Sequence, residues 1–194
     1  MGIEFDKELE ARTGIFLFEN AISDKLCDQT IQEFEASKNK FNGKTGAGYK
    51  PGTKNSIDWV VEKDKPEIGQ KYFSILEIAM KKIQKKYHYL SRYPYQWSGL
   101  QMQKSLKGEG FFRPHTDNDE SHPVWSRWFA PIMYLNDVEE GGLTRFPMQG
   151  IDIKPKKGTL VIFPSTWQYW HEGTKPISGD KYIITTFGSI PRQF

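Results

Sequence analysis

The chain has a single cysteine, four histidines, no internal repeat and no apolar stretch approaching the ~18 residues of a membrane span. Each absence excludes something. One thiol, Cys27, rules out an internal disulfide and any multi-cysteine metal cluster, and it fits a reducing compartment. The start, Met1-Gly2-Ile3-Glu4-Phe5-Asp6-Lys7, turns acidic at once where a signal peptide would be basic and then apolar, so a cytoplasmic protein is expected, with no membrane partner. Net charge is small, +3 from 27 basic and 24 acidic residues. The pairs Lys81-Lys82 and Lys85-Lys86 read as a solvated helix face, so nucleic acid is not an expected partner. What remains, 37% hydrophobic and 26% charged over 194 residues, is enough for one soluble domain with a sizeable core.

The first half reads as helical. Ser23 can cap a helix that sets Leu26, Cys27, Thr30, Ile31 and Phe34 on one side. A second helix is expected from near Asp64, with Pro66 in its first turn and Glu67 three residues after the cap, carrying Tyr72, Phe73, Leu76, Met80, Ile83 and Tyr87 at helical spacing. Between them, 38–54 is rich in Gly, Lys, Asn and Thr, has too few apolar residues to pack, and reads as a mobile loop that could close as a lid. From Trp97 the pattern changes to short β-branched and aromatic runs broken by Gly, Pro, Asn and Asp. Strands are expected over 99–106, 128–135, 144–146, 158–163 and 181–189. The sum is an α+β domain whose antiparallel sheet folds into a sandwich or barrel covered by two helices.

The chemistry starts with Arg113-Pro114-His115-Thr116-Asp117. In an extended segment His115 and Asp117 point the same way while Thr116 points opposite. His171 stands 54 residues after the aspartate, behind the apolar run Leu160-Val161-Ile162-Phe163-Pro164-Ser165, and Lys181 lies ten further on. Two histidines and one carboxylate make up the facial triad that holds non-haem Fe(II) with open positions. An isolated H-x-D is a weak signal, since most such pairs are solvated loop residues.

Three surrounding segments strengthen it: the 134–147 run Tyr-Leu-Asn-Asp-Val-Glu-Glu-Gly-Gly-Leu-Thr-Arg-Phe-Pro, the 156–164 run Lys-Lys-Gly-Thr-Leu-Val-Ile-Phe-Pro, and His171-Glu172-Gly173 followed by Lys181-Tyr182-Ile183-Ile184-Thr185-Thr186-Phe187. In this order the chain resembles the 2-oxoglutarate and Fe(II)-dependent dioxygenases, in their prolyl 4-hydroxylase-like branch, closely over about 97–189 and loosely before. The resemblance implies a double-stranded β-helix (jelly-roll) core with flanking N-terminal helices, in a single oxygenase domain over 1–194, with about 1–96 as helical flank and loop. It implies His115, Asp117 and His171 as the iron ligands, Lys181 as the partner of the distal carboxylate of 2-oxoglutarate, and Tyr134, Thr185 and Phe187 at the co-substrate pocket. The implied cofactors are Fe(II), 2-oxoglutarate and O2, with ascorbate as an accessory reductant. The implied reaction hydroxylates an unactivated C–H, first of all a prolyl residue in a peptide or protein, and releases succinate and CO2. Strand alternation from Lys181 independently puts Ile183, Thr185 and Phe187 on its face. One departure stands out: where the family offers a tyrosine about nine residues before the first histidine, this chain has Leu106.

Competing readings are plainer. His122 reads as a surface loop residue, His88 as a cation at a helix C-terminus, and Asp119 and Glu120 as solvated, since EF-hand spacing is absent. Trp125, Trp128, Trp167 and Trp170 could be core or could line a substrate groove. Other possibilities are a jelly-roll binding module without turnover, a cupin enzyme of another reaction type, and a hydroxylase of a small molecule or of another amino-acid side chain.

Overall fold

The computed structural model describes residues 3–45, 48–118 and 125–191, without the side chain of Trp125. His122, Asp119 and Glu120, weighed above, lie outside the described residues. The first half supplies helices α1 (Lys7–Thr13), α2 (Asp24–Ala36), α3 (Val61–Asp64) and α4 (Pro66–Lys86) and strands β1 (Phe16–Phe18), β2 (Phe41–Asn42), β3 (Lys54–Asn55) and β4 (Ile57–Val60). The second half supplies β5 (Gln96–Trp97), β6 (Gln101–Ser105), β7 (Phe111–His115), β8 (Trp125–Tyr134), β9 (Thr144–Phe146), β10 (Ile151–Ile153), β11 (Leu160–Pro164), β12 (His171–Gly173), β13 (Lys181–Thr185) and β14 (Gly188–Pro191).

These strands make two antiparallel sheets. The larger runs β1-β11-β8-β13-β6-β4-β2, with β14 beside both β8 and β5, and the smaller runs β10-β9-β12-β7-β3. From β6 to β9 each strand lies in the sheet its predecessor does not, and after the β9–β10 hairpin β11, β12 and β13 alternate again. That winding is the double-stranded β-helix, with helices outside it.

Period-2 alternation decides which side chains meet the helices and which meet the second sheet. On β8 and β11, Met133, Leu160 and Ile162 pack with α2 and α4, while Ala130, Ile132, Tyr134, Val161 and Phe163 turn into the space between the sheets with Ile153 and Phe146. Leu26, Cys27 and Phe34 of α2 and Ile68, Tyr72, Leu76, Met80 and Ile83 of α4 are buried against the outer face. Each large aliphatic side chain so buried contributes roughly 1.5–3 kcal/mol. Ser23 caps α2 by accepting from the Leu26 N–H at 3.3 Å. Burial pushes the Cys27 thiol up to about 11, as suits a packing residue.

Four sequence expectations need correction. Asp64 does not cap α4, which starts from Lys65 without a side-chain cap. The Asp64 carboxylate instead accepts from Trp59 Nε1, Asn39 and Ser37, tying the turn to the end of α2. The 38–54 stretch contributes β2 and β3, one in each sheet, so it is stitched into the fold by ladders rather than by apolar packing. The expected 181–189 strand breaks after Thr185, where the Thr186 hydroxyl donates to the Ser98 carbonyl at 2.8 Å, and continues as β14. Finally, α1 and β1 went unforeseen, being too short for periodicity to show. Among the described residues no helix is long and apolar enough to cross a membrane.

Candidate active site

Strands β7 and β12 are neighbours, and His115 and His171 face each other directly in the ladder. From His171 to Gly173 the chain advances two residues while its partners go from His115 to Phe112, so β7 carries one extra residue, a bulge. Pro114, which has no N–H for a ladder, falls inside it. The bulge brings Phe112 and His115 to the same side, ring on ring at 3.6 Å and 19°. His171 is wedged between Phe146 and Phe163, with ring centroids at 5.4 and 4.9 Å. Aromatic packing thus holds both imidazoles on a strand pair.

Their tautomers follow from their partners. His115 Nδ1 lies 2.8 Å from the Arg113 carbonyl and His171 Nδ1 2.9 Å from the Tyr169 carbonyl. A carbonyl only accepts, so each Nδ1 carries the proton and each Nε2 keeps its lone pair. Both Nε2 atoms face the Asp117 carboxylate at 3.6 Å, one per oxygen, too long for a hydrogen bond. Donor atoms about 2.1 Å from one ion and at right angles lie about 3 Å apart. The three groups therefore span nearly one face of an octahedron, and their donor atoms all fall within 4.8 Å of one another. Burial alone would raise the Asp117 pKa, but His171, His115 and Arg127 together hold it below the ordinary value. Burial pushes His171 below its ordinary value. An ionised carboxylate between two lone-pair nitrogens is a donor set that fits Fe(II).

Behind the triad a chamber opens between the sheets, with Ile132 and Ile183 as apolar walls and Ser56, Ser105 and Thr144 as hydroxyls. Lys181 closes it at the far end. The residue is 4% exposed, its Nζ donates to the Gly142 carbonyl at 2.7 Å, and the Tyr134 ring lies 5.5 Å away. Among the described residues it has no carboxylate partner, and burial pulls its pKa down to about 7. Gly142 sits at φ 65°, a conformation side chains resist, and so turns its carbonyl onto the lysine. A chamber with metal donors at one end, an apolar middle and a lone cation at the other fits a short dicarboxylate such as 2-oxoglutarate.

The remaining expected pocket residues separate. Tyr134 stands behind the chamber wall, fully buried, its hydroxyl donating to Thr144 Oγ1 at 2.7 Å. Thr185 and Phe187 border a groove outside the triad, not the chamber. Thr185 donates to the Pro131 carbonyl at 3.0 Å and Phe187 lies under the Arg127 guanidinium at 3.7 Å. Leu106 falls in the turn after β6, its carbonyl accepting from Gly110, and the hydroxyls that line the chamber come from Ser105 at the end of β6, Ser56 and Thr144. Trp128, Trp167 and Trp170 line neither space, and the side chain of Trp125 lies outside what the structure describes. Trp128 belongs to a separate cleft with Tyr87, Tyr89 and Tyr169, and Trp167 and Trp170 are exposed. His88 is exposed at the start of a short 3-10 turn.

Sequence reasoning missed Lys54. It is 3% exposed, borders both chamber and groove, and donates to Asp58 Oδ2 at 2.7 Å. Asp58, fully buried, also accepts from Ser56 at 2.6 Å and from Gln101. A signal was there: Lys54, Ser56 and Asp58 alternate with Asn55, Ile57 and Trp59, the period of a strand with one polar face turned inward.

Residues 100–188 match the family model of the 2OG-Fe(II) oxygenase superfamily. A probable prolyl 4-hydroxylase of Arabidopsis thaliana is 32% identical over 71 residues, covering 33% of this chain, and the match spans only 23% of that relative's length. The fold is similar to a Trichoplax adhaerens prolyl hydroxylase solved with a hypoxia inducible factor peptide fragment (18% identity, 93% of this chain and 86% of that one, TM-score 0.74). It is similar as well to a Pseudomonas putida prolyl-4-hydroxylase (16%, 96% and 97%, TM-score 0.71). The 2OG complex of the viral collagen prolyl hydroxylase from Paramecium Bursaria Chlorella virus-1 matches at 23% identity over 90% of this chain and 95% of that one, with a TM-score of 0.65. Over residues 100–188, a little under half of its length, the chain is thus similar to the 2OG-Fe(II) oxygenase superfamily.

Proposed function

We propose that the protein hydroxylates an unactivated C–H bond, first of all in a prolyl residue of a peptide or protein, with Fe(II) held by His115, Asp117 and His171 and 2-oxoglutarate anchored on Lys181. The observation that carries the reading is Lys181: a buried cation without a carboxylate, in the same chamber as three converging metal donors. A cation left unpaired in an apolar site is destabilising by itself and is explained by an anionic ligand.

When bound, Fe(II) and 2-oxoglutarate supply O2-dependent oxidation of a C–H bond coupled to decarboxylation to succinate and CO2. The chain's own residues do the rest. The Arg113 and Tyr169 carbonyls keep both Nε2 lone pairs aimed at the metal position. Asp117 supplies the negative charge that matches a divalent ion, and its retention favours hydroxylation. Lys181 would hold the distal carboxylate by charge-assisted hydrogen bonds, and Ile132 and Ile183, as apolar walls, would exclude water beside it. The groove bordered by Phe187, Thr185 and Arg127 lies on the open side of the triad, where a peptide can approach. The prolyl preference draws on the relatives, which are prolyl hydroxylases by name.

The test loads the protein with Fe(II) without oxygen, adds 2-oxoglutarate and admits air. Succinate should form, and a peptide pool should show products heavier by one oxygen atom on proline. Iron bound with no succinate under any substrate pool would identify a binding module instead.

A further inference from the structure

The groove outside the triad is lined by four cations, Lys44, Lys50, Lys54 and Arg127, and its carboxylates are already engaged: Asp117 among the metal donors and Asp58, behind the wall, with Lys54. Lys44 and Lys50 are exposed and have no ion-pair partner among the described residues. Some lysines elsewhere on the surface are paired, as Lys65 with Glu33, Lys104 with Glu35 and Lys157 with Asp28, and others are not, so what marks Lys44 and Lys50 is that both line one groove with Lys54 and Arg127. Lys54 adds a directional element. Its ammonium has three N–H donors and, among the described residues, one acceptor, Asp58, while its 3% exposure denies the other two bulk water. Asp58, Ser56 and Gln101 fix its position, so the unused donors are held at the boundary of chamber and groove.

We infer that the groove takes an acidic peptide, in which a side-chain carboxylate next to the hydroxylated residue rests on Lys54 while flanking carboxylates meet Lys44 and Lys50. The inference rests on the oxygenase reading above and names the substrate class of that same site. Charge complementarity supplies the argument. A single-stranded nucleic acid is the other polyanion that four cations could attract, but it binds by stacking bases on open aromatic faces. Here Phe112 is sandwiched between His115 at 3.6 Å and the Lys54 ammonium at 5.4 Å, and Phe187 carries Arg127. Neither ring is free to stack, which leaves half-buried Phe41 as the one further phenylalanine of the groove among the described residues, too little for a run of stacked bases.

The experiment uses fluorescein-labelled peptides of one proline flanked by glutamates, by glutamines or by lysines, and a labelled oligothymidine, titrated with the Fe(II)- and 2-oxoglutarate-loaded protein under argon. The glutamate peptide should bind at least about tenfold more tightly than its glutamine twin, a difference of about 1.4 kcal/mol. The lysine twin should bind weakest, and the preference should shrink as salt rises. Lys44→Glu with Lys50→Glu, at exposed positions where folding is safe, should abolish or reverse the preference, and Lys54→Met should raise the glutamate peptide's Kd. Equal affinity for the glutamate and glutamine peptides overturns the inference, and so does tighter binding of the oligothymidine. Succinate formation by the wild-type protein in air, measured with and without the peptide pool, separates the two readings: its absence throughout sinks the oxygenase assignment, whereas binding decides the anion preference either way.

Discussion

Two lysines, Lys54 and Lys181, are equally hidden, at 3% and 4% exposure, and border the same chamber. Lys54 is matched by the buried carboxylate of Asp58, itself held by Ser56 and Gln101. Lys181 has a carbonyl and an aromatic ring, and burial pulls its pKa down to about 7. The difference shows how one fold uses the same residue twice. The lysine whose charge is answered inside the chain joins the sheets, since β3 belongs to the small sheet and β4, which carries Asp58, to the large one. The lysine whose charge is not answered is the one proposed above to receive a charge from outside.

The largest effect lies at the metal end, which both lysines presuppose. His171→Ala removes one of the three donors, so iron retention and succinate formation should fall by more than the roughly 10–100-fold that loss of a supporting hydrogen bond costs a metal site. Iron content after desalting and succinate yield measure both. Full activity in this variant would take His171 out of the site and leave Lys181 without a purpose.

Next comes the comparison itself. Lys54→Met leaves Asp58 buried and unpaired, and should destabilise the protein by about 3–5 kcal/mol in denaturant unfolding. Lys181→Met removes a buried cation that has no carboxylate, so ligand-free stability should hold or rise, while 2-oxoglutarate affinity falls on the order of 100-fold. The same sign of stability change for both variants would break the contrast. The pH dependence sharpens it. The folded pKa of Lys181, about 7, lies below the unfolded value near ~10.4, so folding releases a proton between them. Ligand-free stability from this group therefore rises as pH climbs from about 7 toward ~10, and its full penalty is present below 7. Binding of 2-oxoglutarate runs the other way: it requires the cation, takes up a proton above pH 7, and should weaken by up to about tenfold per pH unit. The other cationic or titratable groups facing this chamber are Lys54, His115 and His171, so calorimetry in Lys181→Met, where the proton uptake should vanish, isolates the contribution.

How much of this was legible beforehand follows the range of the signals. The helices α2 and α4 are local, with 3.6-residue spacing and, for α2, the Ser23 cap, and Leu26, Phe34, Tyr72, Leu76 and Met80 are buried as their spacing predicts. Among the long strands, alternation on Lys181, Ile183 and Thr185 was readable, and all three face the interior spaces. The bend at Thr186 was not, because the Ser98 groups that hold it lie 88 residues away. Phe187, beyond that bend, borders the groove and not the chamber. The meeting of His115, Asp117 and His171 rests on a three-residue strand and a bulge around Pro114, features too short for any periodicity. Spacing alone could propose the three residues, but only pairing across strands brings them together. Lys54 was lost among the glycines and lysines of 38–54, where composition argued for a loop and the alternation of 54, 56 and 58 argued otherwise.

The smallest effect concerns Tyr134, which touches Lys181 by its ring and Thr144 by its hydroxyl. Tyr134→Phe keeps the ring over the ammonium and removes one buried hydrogen bond, so stability should drop by about 1 kcal/mol. Thr144, 3% exposed, keeps its own hydroxyl at the chamber edge, so the KM for 2-oxoglutarate should rise only a few-fold, about 1 kcal/mol or less. Paired thermal melts and KM measurements on Tyr134→Phe and Lys181→Met make the distinction. A rise in KM as large as that of Lys181→Met would show that the phenol, and not the ammonium alone, answers the distal carboxylate, and the chamber's charge recognition would then be shared between ring hydroxyl and lysine.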